Sequence, residues 1–327
     1  MENKKRAIIL FQLGGPDSLD AVEPFLYNLF CDPDIIDLPG AFLFRKTLAR
    51  IISSRRAPKV RELYKNIGGA SPILPQTMEQ AKSLQRSLEE KRIFADVHVA
   101  MRYWHPMTEE VVEGIRKDNV DEVILLPLYP QYSKVTTGSS ARAWSAAVQK
   151  LNVNHFSTKL IESYYEHPLY ISALVENINR SLDRVPEGER NSVHLVFSAH
   201  GTPVKLVKEG DPYSVQIQKT YERVLEAGKF GLPHHLCFQS KVGPQRWLEP
   251  SLTETIDSLA RQKVSHMIVV PIAFVTEHIE TLSEIGIEAR EQALHSGVKY
   301  FDVMPALIAN EKFIACLTDL VLQKLKD

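Results

Sequence analysis

One row of acidic residues in the sequence contains a histidine and has a spacing suited to chemistry. Glutamates stand at positions 277, 280, 284 and 288, and His278 lies between the first two. On a helix, residues four apart share a face, so Glu280, Glu284 and Glu288 would form a stripe of carboxylates. Such a stripe is most often only a solvated helix face. Here it follows an apolar run, where α/β sheets place ligands, and its His-x-Glu pair suits a divalent cation or a proton relay.

His200 is the second residue whose setting suits chemistry. It follows the apolar segment 193–197, and Ser198, Ala199 and Gly201 leave room around its ring. A single histidine after a strand is more often structural. No G-x-S-x-G turn surrounds Ser198 and the chain has no G-x-x-x-x-G-K-[ST] loop, so neither a serine hydrolase nor a phosphate-loop enzyme is expected. A cleft with His200 on one wall and the acidic row on another would suit a large apolar ligand with acidic groups at its rim, together with a cation or protons.

Composition and charge narrow the class of protein. The chain has 327 residues, of which 44% are hydrophobic and 24% charged, as in ordinary soluble proteins. Its formal charge of −1 provides no basic field for nucleic acid. The three cysteines, Cys31, Cys237 and Cys316, are widely spaced, which excludes a disulfide framework and a cysteine-based zinc or iron–sulfur site within the chain. No apolar run approaches the about 20 residues of a membrane span, so we expect a protein that is soluble or rests on a membrane surface.

Apolar runs that alternate with amphipathic segments predict an α/β fold. The expected strands lie at 6–11, 96–100, 122–126 and 157–161 in the first half, and at 193–197, 235–238, 266–273 and 300–304 in the second. Strands that alternate with helices form parallel sheets. We therefore expect two similar Rossmann-like domains, each a four-stranded parallel sheet flanked by helices, with the active-site cleft between them. The expected domains are 1–165 and 166–310, and the last helix, 311–327, should pack back on the first.

Residues 34–56 differ in character from the rest of the first half. Phe44, Leu48, Ile51 and Ile52 recur at helical spacing, and arginines and lysines crowd around them. This pattern is typical of an amphipathic helix packed on the core. The alternative is an apolar lip with a basic rim that touches a flat ligand or a bilayer surface.

Seven short blocks, spread over nearly the whole chain, carry a family resemblance. They are Leu13-Gly-Gly-Pro16, Arg55-Arg56-Ala-Pro-Lys59, Tyr64-x-x-Ile-Gly-Gly-x-Ser-Pro-Ile73, Tyr129-Pro-Gln-Tyr-Ser133 with Thr136-Thr-Gly-Ser-Ser140, Phe197-Ser-Ala-His200, Gln239-Ser-Lys-Val-Gly-Pro244 and His278-Ile-Glu-Thr-Leu282. In this order they resemble the ferrochelatases, and together they are highly specific. The resemblance implies a lyase that inserts Fe²⁺ into protoporphyrin IX to form protohaem, the last step of haem b biosynthesis.

The resemblance assigns the reaction to residues of the second half. His200 matches the family's active-site histidine and Glu280 the carboxylate opposite it. This pair binds the metal and takes the pyrrole protons, and the resemblance leaves open which residue does which. His278 and Glu284 are further catalytic positions, on a helix with a π-type turn that lets residues two apart face one side. Because Glu280 stands beside other carboxylates, we expect its pKa to be raised. The expected path for the cation and protons is Glu277, Glu284 and Glu288.

The other matched positions imply porphyrin contacts. Leu13 falls where a side chain presses on the macrocycle, and residues 34–52 match an apolar lip said to rest on the membrane and cover the porphyrin. One group of side chains is expected to hold the propionates through charge-assisted bonds, and a second group lines the rest of the pocket. The first group is Arg56, Lys59, Tyr64 and Ser71, and the second is Arg102, Tyr103, Tyr129 and Trp247.

The resemblance also bears on cofactors, partners and location. Fe²⁺ is expected as a substrate, with no permanently bound cofactor. Some family members hold a [2Fe–2S] cluster, but this chain ends at Asp327 without a cysteine-bearing extension, and Lys134 stands where an internal cysteine ligand would be. The expected partners are protoporphyrin IX, Fe²⁺, haem, a transient partner that delivers porphyrin, and a membrane surface contacted through residues 34–52, with no nucleic acid. The expected location is the cytoplasm, at the inner face of the plasma membrane.

Three alternatives stay open. The family branch that metallates coproporphyrin III usually has a Tyr-Gly-Thr-Pro-like turn where this chain has Leu13-Gly-Gly-Pro16, which favours protoporphyrin. A chelatase of the same fold that inserts cobalt or nickel into another tetrapyrrole is disfavoured by the propionate-side residues and the lip. A non-enzymatic haem-binding protein would bind haem tightly through His200 without metal insertion.

Overall fold

The chain forms two compact α/β units. The computed structural model describes residues 4–33, 35, 41–240 and 245–326, with only the backbone of residues 41–43. Unit 1 contains the described residues of Met1–Ser163 and Leu317–Asp327, and unit 2 contains those of Tyr164–Cys316. The predicted domain limits, 1–165 and 166–310, stay predictions about where the chain divides into folding domains. In the described part of the chain, no helix is both long and apolar enough to cross a membrane.

Unit 1 is built on a four-stranded parallel sheet. Its strands are β1 (Arg6–Gln12), β2 (Asp96–Met101), β3 (Glu122–Pro127) and β4 (Ser157–Leu160), in the spatial order β2-β1-β3-β4. The central strands β1 and β3 are buried on both faces, which explains why they read as continuous apolar runs rather than alternating ones. The strand order reverses between β1 and β3, so their carboxyl ends flank the position where open α/β sheets bind ligands.

Helices cover both faces of the unit 1 sheet. They are α1 (Val22–Cys31), α2 (Ala41–Asn66), α3 (Ile73–Glu90), α4 (Thr108–Lys117), a first π-helix (Lys134–Gly138) that continues as α5 (Ser139–Lys150), and the second half of α11 (Glu311–Lys326). On one face, Ile9 and Phe11 of β1 pack with Ile115 of α4 and Trp144 of α5 in a single core cluster. Thr318 of α11 donates a 2.8 Å hydrogen bond to Ser87 of α3, within the same unit.

Unit 2 repeats this plan. Its strands are β5 (Val193–His200), β6 (His234–Gln239), β7 (His266–Pro271) and β8 (Tyr300–Val303), all parallel and in the order β6-β5-β7-β8. Its helices are α6 (Pro168–Asp183), a 3₁₀-helix (Glu187–Ser192), α7 (Val204–Lys208), α8 (Tyr213–Gly228), α9 (Leu252–Arg261), a second π-helix (Glu280–Ala289) that continues as α10 (Arg290–His295), and the first half of α11. The reversal of strand order falls between β5 and β7.

The expectation of two four-stranded parallel α/β sheets is confirmed, with changes at the ends of elements. β5 extends three residues beyond its predicted end at 197, so His200 is the last residue of the strand rather than part of a loop. β7 ends at Pro271, before the predicted 273. The first helix begins at Val22, directly after a turn at Asp20 and Ala21.

Candidate active site

The catalytic residues predicted for unit 2 gather at the carboxyl edge of its sheet. His200 ends β5 and lies in register with Gln239, the last residue of β6. His278 follows the neighbouring strand β7, just before the second π-helix begins at Glu280. Because β5 and β7 flank the reversal of strand order, these side chains occupy the place where ligands bind to this class of sheet.

The side chains of His278 and Glu280 lie in close contact. Nδ1 of His278 lies 2.6 Å from Oε2 of Glu280, although the contact is not an aligned hydrogen bond. The ring of His278 packs edge-on against Phe274, with 4.3 Å between the ring centroids, which fixes its orientation. The π-helix expected from the resemblance is present, at Glu280–Ala289. His278 was expected on this helix but lies just before it, so its contact with Glu280 joins the end of the preceding loop to the first residue of the helix.

The charge states in this cluster differ from one carboxylate to the next. Burial would raise the pKa of Glu280, but His278 and His200 outweigh it and hold that pKa well below its usual range. Burial lowers the pKa of His200, against the opposing charge of Glu280. Burial raises the pKa of Glu284, assisted by the charges of Glu280 and Glu288. The expectation of a raised pKa at Glu280 is therefore wrong, because histidines and not carboxylates are its strongest neighbours.

The acidic row runs from a buried end to an exposed end. Glu280 and Glu284 are half-buried and Glu288 is exposed. Ser240 holds Glu284 through its backbone N–H at 2.7 Å and its hydroxyl at 2.5 Å. Glu277 forms structural hydrogen bonds: its two oxygens accept from the Thr281 hydroxyl and the Ala306 backbone N–H. A role for Glu277 in a cation or proton path stays a prediction.

Metal binding by His200 and Glu280 also stays a prediction. In the part of the chain that the structure describes, no three His, Cys, Asp or Glu side chains come together as a ligand set for a metal ion. The pKa shifts describe a half-buried imidazole that favours its neutral form and a nearby carboxylate that favours its ionised form.

The strand ends around His200 are packed tightly. The backbone N–H of Gly201 donates a 2.7 Å hydrogen bond to the carbonyl of Gln239. A Cβ atom at Gly201 would lie 2.8 Å from that carbonyl oxygen and 3.3 Å from the half-buried ring of Trp247. Gln239 also lies beside His200, but the sequence analysis gave it no role of its own and quoted it only as part of the Gln239–Pro244 block. Its buried side-chain oxygen accepts a 2.7 Å hydrogen bond from Ser198. Its position at the end of a predicted strand could have indicated this place in the site. Residues 241–244, in the same predicted block, lie outside the described residues.

Four of the residues predicted to contact the porphyrin follow the carboxyl ends of strands in unit 1: Leu13 after β1, Arg102 and Tyr103 after β2, and Tyr129 after β3. Leu13 is half-buried directly after β1, and its carbonyl accepts a 3.0 Å hydrogen bond from the Tyr103 N–H. The Arg102 N–H donates in the same way to Gln12 at 2.8 Å. Tyr129 follows β3, and burial raises the pKa of its hydroxyl. The structure thus brings Leu13, Arg102 and Tyr103 together in one edge of the sheet.

The side chains of Arg102 and Tyr103 are already engaged by a carboxylate that the sequence analysis did not single out. Oδ2 of Asp32 accepts hydrogen bonds from Arg102 Nη2 at 2.7 Å, from the Tyr103 hydroxyl at 2.8 Å and from the Ser139 hydroxyl at 2.7 Å. Tyr103 is fully buried, and its pKa is raised by burial and by the Asp32 charge. As the structure stands, Tyr103 offers no surface to a ligand.

The predicted propionate residues divide into exposed cations and buried hydroxyls. Arg56 and Lys59 are exposed on α2, three residues apart and so on one helix face, and the Arg56 guanidinium lies 5.5 Å from the ring centre of Phe30. Tyr64 and Ser71 are buried. Ser71 is fixed to the loop after β1, because its N–H donates a 2.8 Å hydrogen bond to the carbonyl of Pro16.

Comparison with known proteins gives a consistent result. The sequence profile of the ferrochelatase family matches residues 5–325. A ferrochelatase from Aquifex aeolicus is 47% identical over 317 residues, which cover 97% of this chain and 98% of that protein. A ferrochelatase from Trichodesmium erythraeum is 44% identical over 320 residues, which cover 97% of this chain and 82% of the relative.

Solved structures agree at the level of the fold. SirB from Bacillus subtilis, solved with Fe³⁺, matches with a TM-score of 0.54 at 11% identity, covering 98% of this chain and 95% of SirB. A multi-domain protein from Deinococcus radiodurans with structural similarity to chelatases matches with a TM-score of 0.53 at 14% identity, covering 97% of this chain and 54% of that one. The shared architecture and the sequence match over nearly the whole chain lead to one conclusion: this chain belongs to the ferrochelatase family and is a porphyrin metal chelatase.

Proposed function

We infer that the chain inserts ferrous iron into protoporphyrin to form haem, and we propose that it does so at the carboxyl edge of the unit 2 sheet. The main support for placing the reaction at this edge is that His200, His278 and Glu280 lie together there. His200 is half-buried with a lowered pKa, and the nearby carboxylate of Glu280 is kept ionised in contact with His278.

We propose that His200 takes the pyrrole protons. Two N–H protons must leave the macrocycle as the metal enters, so the site needs a base. A half-buried imidazole with a lowered pKa is uncharged near neutral pH and has a lone pair that can accept a proton. The ionised Glu280 supplies the negative charge that attracts the entering Fe²⁺.

Protons would then leave along the acidic row. Glu284 has a raised pKa, which brings it closer to that of a histidine and eases proton exchange between them. Glu288 is exposed and hands the protons to solvent. The same exposed end offers an entry for the metal cation.

The remaining roles are proposals of binding. Leu13 and Trp247 would contact the macrocycle, and Arg56 and Lys59 are exposed cations available for the propionates. Tyr64, Ser71, Arg102, Tyr103 and Tyr129 complete the proposed porphyrin-binding set. Tyr103 would act through Asp32 rather than by direct contact, because it is fully buried.

We propose that the enzyme works without a [2Fe–2S] cluster. The chain has three cysteines. Cys237 and Cys316 are buried, and burial raises the pKa of Cys237 to about 12, which disfavours the thiolate that a cluster needs. No pair of the cysteines stands in a C-x-x-C spacing.

A peripheral place on the cytoplasmic face of the plasma membrane suits this function. The support is the apolar and basic character of residues 34–52, of which 34 and 36–40 lie outside the described residues. Phe44 and Ile51 of α2 are exposed, with Arg45, Lys46 and Arg50 around them. Amphipathic surfaces of this kind bind to anionic lipid. A transient protein partner that delivers porphyrin would dock nearby.

Anaerobic metallation tests the proposed function. Purified protein is mixed with protoporphyrin IX and Fe²⁺, or Zn²⁺ as a surrogate, and the loss of free-base porphyrin fluorescence is followed. We expect turnover well above the protein-free rate, lost in His200→Ala and kept in His295→Ala, which removes an exposed histidine of the same unit.

Other outcomes discriminate among the alternatives. Coproporphyrin III in parallel tests the substrate branch, and faster turnover with it would overturn the protoporphyrin assignment. Fluorescence quenching that stops at one porphyrin per protein would identify a binding protein and not an enzyme.

A further inference from the structure

Asp32 carries a buried carboxylate at the end of α1. Its side chain is 1% exposed, and it directly follows Cys31, the last residue of α1. Its oxygen Oδ2 accepts the three hydrogen bonds from Arg102, Tyr103 and Ser139. A fourth hydrogen bond closes the network, because Arg102 Nε donates to the Ser139 hydroxyl at 2.8 Å. Charge-assisted bonds of this kind are short and hold their partners rigidly.

The donors tie this carboxylate to the carboxyl edge of the unit 1 sheet. Arg102 and Tyr103 directly follow β2, and their backbone N–H groups donate to the carbonyls of Gln12, the last residue of β1, and of Leu13 after it. Ser139 is the first residue of α5. One oxygen atom of Asp32 therefore joins the segments that follow β2 and β3. Through the backbone of Arg102 and Tyr103 it is also linked to the end of β1.

The backbone carbonyl of Asp32 contacts two residues that follow it in the chain, Ile35 and Arg45. Its carbonyl accepts a 3.2 Å hydrogen bond from the N–H of Ile35 and a 3.4 Å bond from Nη1 of Arg45 in α2. Phe44, beside Arg45, is one of the most exposed large apolar side chains of the described chain. Asp32 is thus bonded both to the interior of unit 1 and to the apolar, basic segment on its surface.

We propose that Asp32 is a positioning residue for porphyrin binding, which holds α2, through Arg45, in a fixed relation to the Leu13–Arg102–Tyr103 edge. The inference rests on the proposed function. If the porphyrin contacts both parts of unit 1, the binding surface is complete only while the two are held together. Loss of the Asp32 charge frees Arg102 and Tyr103 and weakens substrate binding, without touching the residues that move protons or metal.

Unit 1 offers a matched control for the loss of a buried charge. Glu122 has a side chain 8% exposed, and it is held by Arg6 at 3.0 Å and by Lys159 at 2.9 Å. It is the first residue of β3, at the amino edge of the sheet, and is therefore remote from the loops at the carboxyl edge. Asp32→Asn and Glu122→Gln both neutralise a buried carboxylate bound to cations, so their general effects on folding are comparable.

The experiment compares the two variants in porphyrin binding and in metallation. We expect Asp32→Asn to raise the KM and the Kd for protoporphyrin about tenfold, the size of one lost charge-assisted hydrogen bond, with kcat within about twofold of wild type. Glu122→Gln should leave both constants at the wild-type value. Ser139→Ala removes one of the three bonds with no change of charge and should give a smaller shift in the same direction.

Two results would overturn the inference: wild-type porphyrin binding in Asp32→Asn, or an equal loss of binding in Glu122→Gln. If Asp32→Asn does not fold, unchanged KM and Kd in Ser139→Ala would overturn it instead. Failure of the proposed function is distinguishable, because then the wild-type protein itself would not metallate porphyrin.

Discussion

Glu280 is the carboxylate of the acidic row whose loss should reduce activity most. Its pKa is held low by His278 and His200, so it is ionised throughout the working pH range. Glu280→Gln keeps the shape and removes the charge. We expect kcat for metallation to fall by about 10²- to 10⁴-fold, the usual contribution of a group that handles protons or charge at the reacting centre. Porphyrin affinity, measured by fluorescence titration, should stay close to that of the wild type.

Glu291 of α10, to which no part of the proposed proton path is assigned, provides the control. It is exposed to solvent, so its charge is screened. Glu291→Gln should therefore change kcat by less than about threefold. Turnover at the wild-type rate in Glu280→Gln would refute the role assigned to Glu280.

The lowered pKa of His200 predicts a pH dependence with a definite sign. An ordinary histidine has a pKa of about 6.5, and burial lowers that of His200 further. The neutral base is therefore fully present above about pH 6.5 and is lost only as the pH falls through the lower folded value. We expect kcat/KM for Zn²⁺ insertion to be level above neutrality and to decline on the acid side, with a midpoint below 6.5. The protein-free rate is subtracted at each pH, and a midpoint above 7 would contradict this assignment.

At the residue scale, the sequence indicated which side chains matter but not their states. His200, His278 and Glu280 could be singled out by their types and by their position after apolar runs. The direction of the pKa shift at Glu280 could not be predicted from the sequence, because it depends on the 2.6 Å contact with His278, which sequence spacing does not reveal. Asp32 was missed for a related reason. Its partners are distant in sequence, so it looked like an ordinary acidic residue at a helix end.

The ends of β5 and β6 form the element that holds His200 in place, and Gly201 is its most constrained point. An added Cβ would meet the Gln239 carbonyl oxygen at 2.8 Å, closer than van der Waals contact allows. Gly201→Ala must therefore push the two strand ends apart and move His200. We expect a loss of about 1–3 kcal/mol in the free energy of unfolding, typical of overpacking, measured by urea denaturation. The metallation rate should fall in the same variant.

Gly188 in the 3₁₀-helix of the same unit is the matched control, because nothing lies within 4 Å of a Cβ added there. Gly188→Ala should change stability by less than about 0.5 kcal/mol and leave metallation unchanged. If Gly201→Ala behaved in the same way, the strand ends would not be what orients His200.

Most elements could be predicted from apolar periodicity, but the continuation of α2 from residue 57 to Asn66 could not. Pro58 stands inside this helix, and a proline usually ends a helical pattern. Contacts beyond the proline hold it to α1 instead: Arg61 donates to the Leu19 carbonyl at 3.1 Å and contacts Glu23 at 3.4 Å. Tertiary contacts of this kind override local propensity and are invisible in a sequence window.

At the scale of the whole molecule, the two units place their functional side chains by the same rule. In each unit the strand order reverses beside the first strand, and the predicted residues follow the carboxyl ends of the strands there. Unit 1 carries arginines, tyrosines and a leucine suited to a flat anionic ligand, whereas unit 2 carries histidines and carboxylates suited to protons and a cation. The two units thus share a fold but differ in the residue types at their strand ends, and this difference could be predicted from the sequence.

The exposed apolar surface of α2 predicts that the whole protein associates with anionic vesicles. Phe44 is 69% exposed and stands beside basic residues, whereas Phe94, 72% exposed, lies elsewhere on unit 1, before β2. Burial of a phenylalanine in lipid contributes about 1.5–3 kcal/mol, so Phe44→Ser should weaken vesicle binding about tenfold or more in a sedimentation assay. Phe94→Ser removes as much exposed apolar surface and should bind like the wild type, and added salt should weaken both proteins through screening of the basic residues. Equal loss in the two variants would mean that apolar surface in general, and not residues 34–52, drives the association.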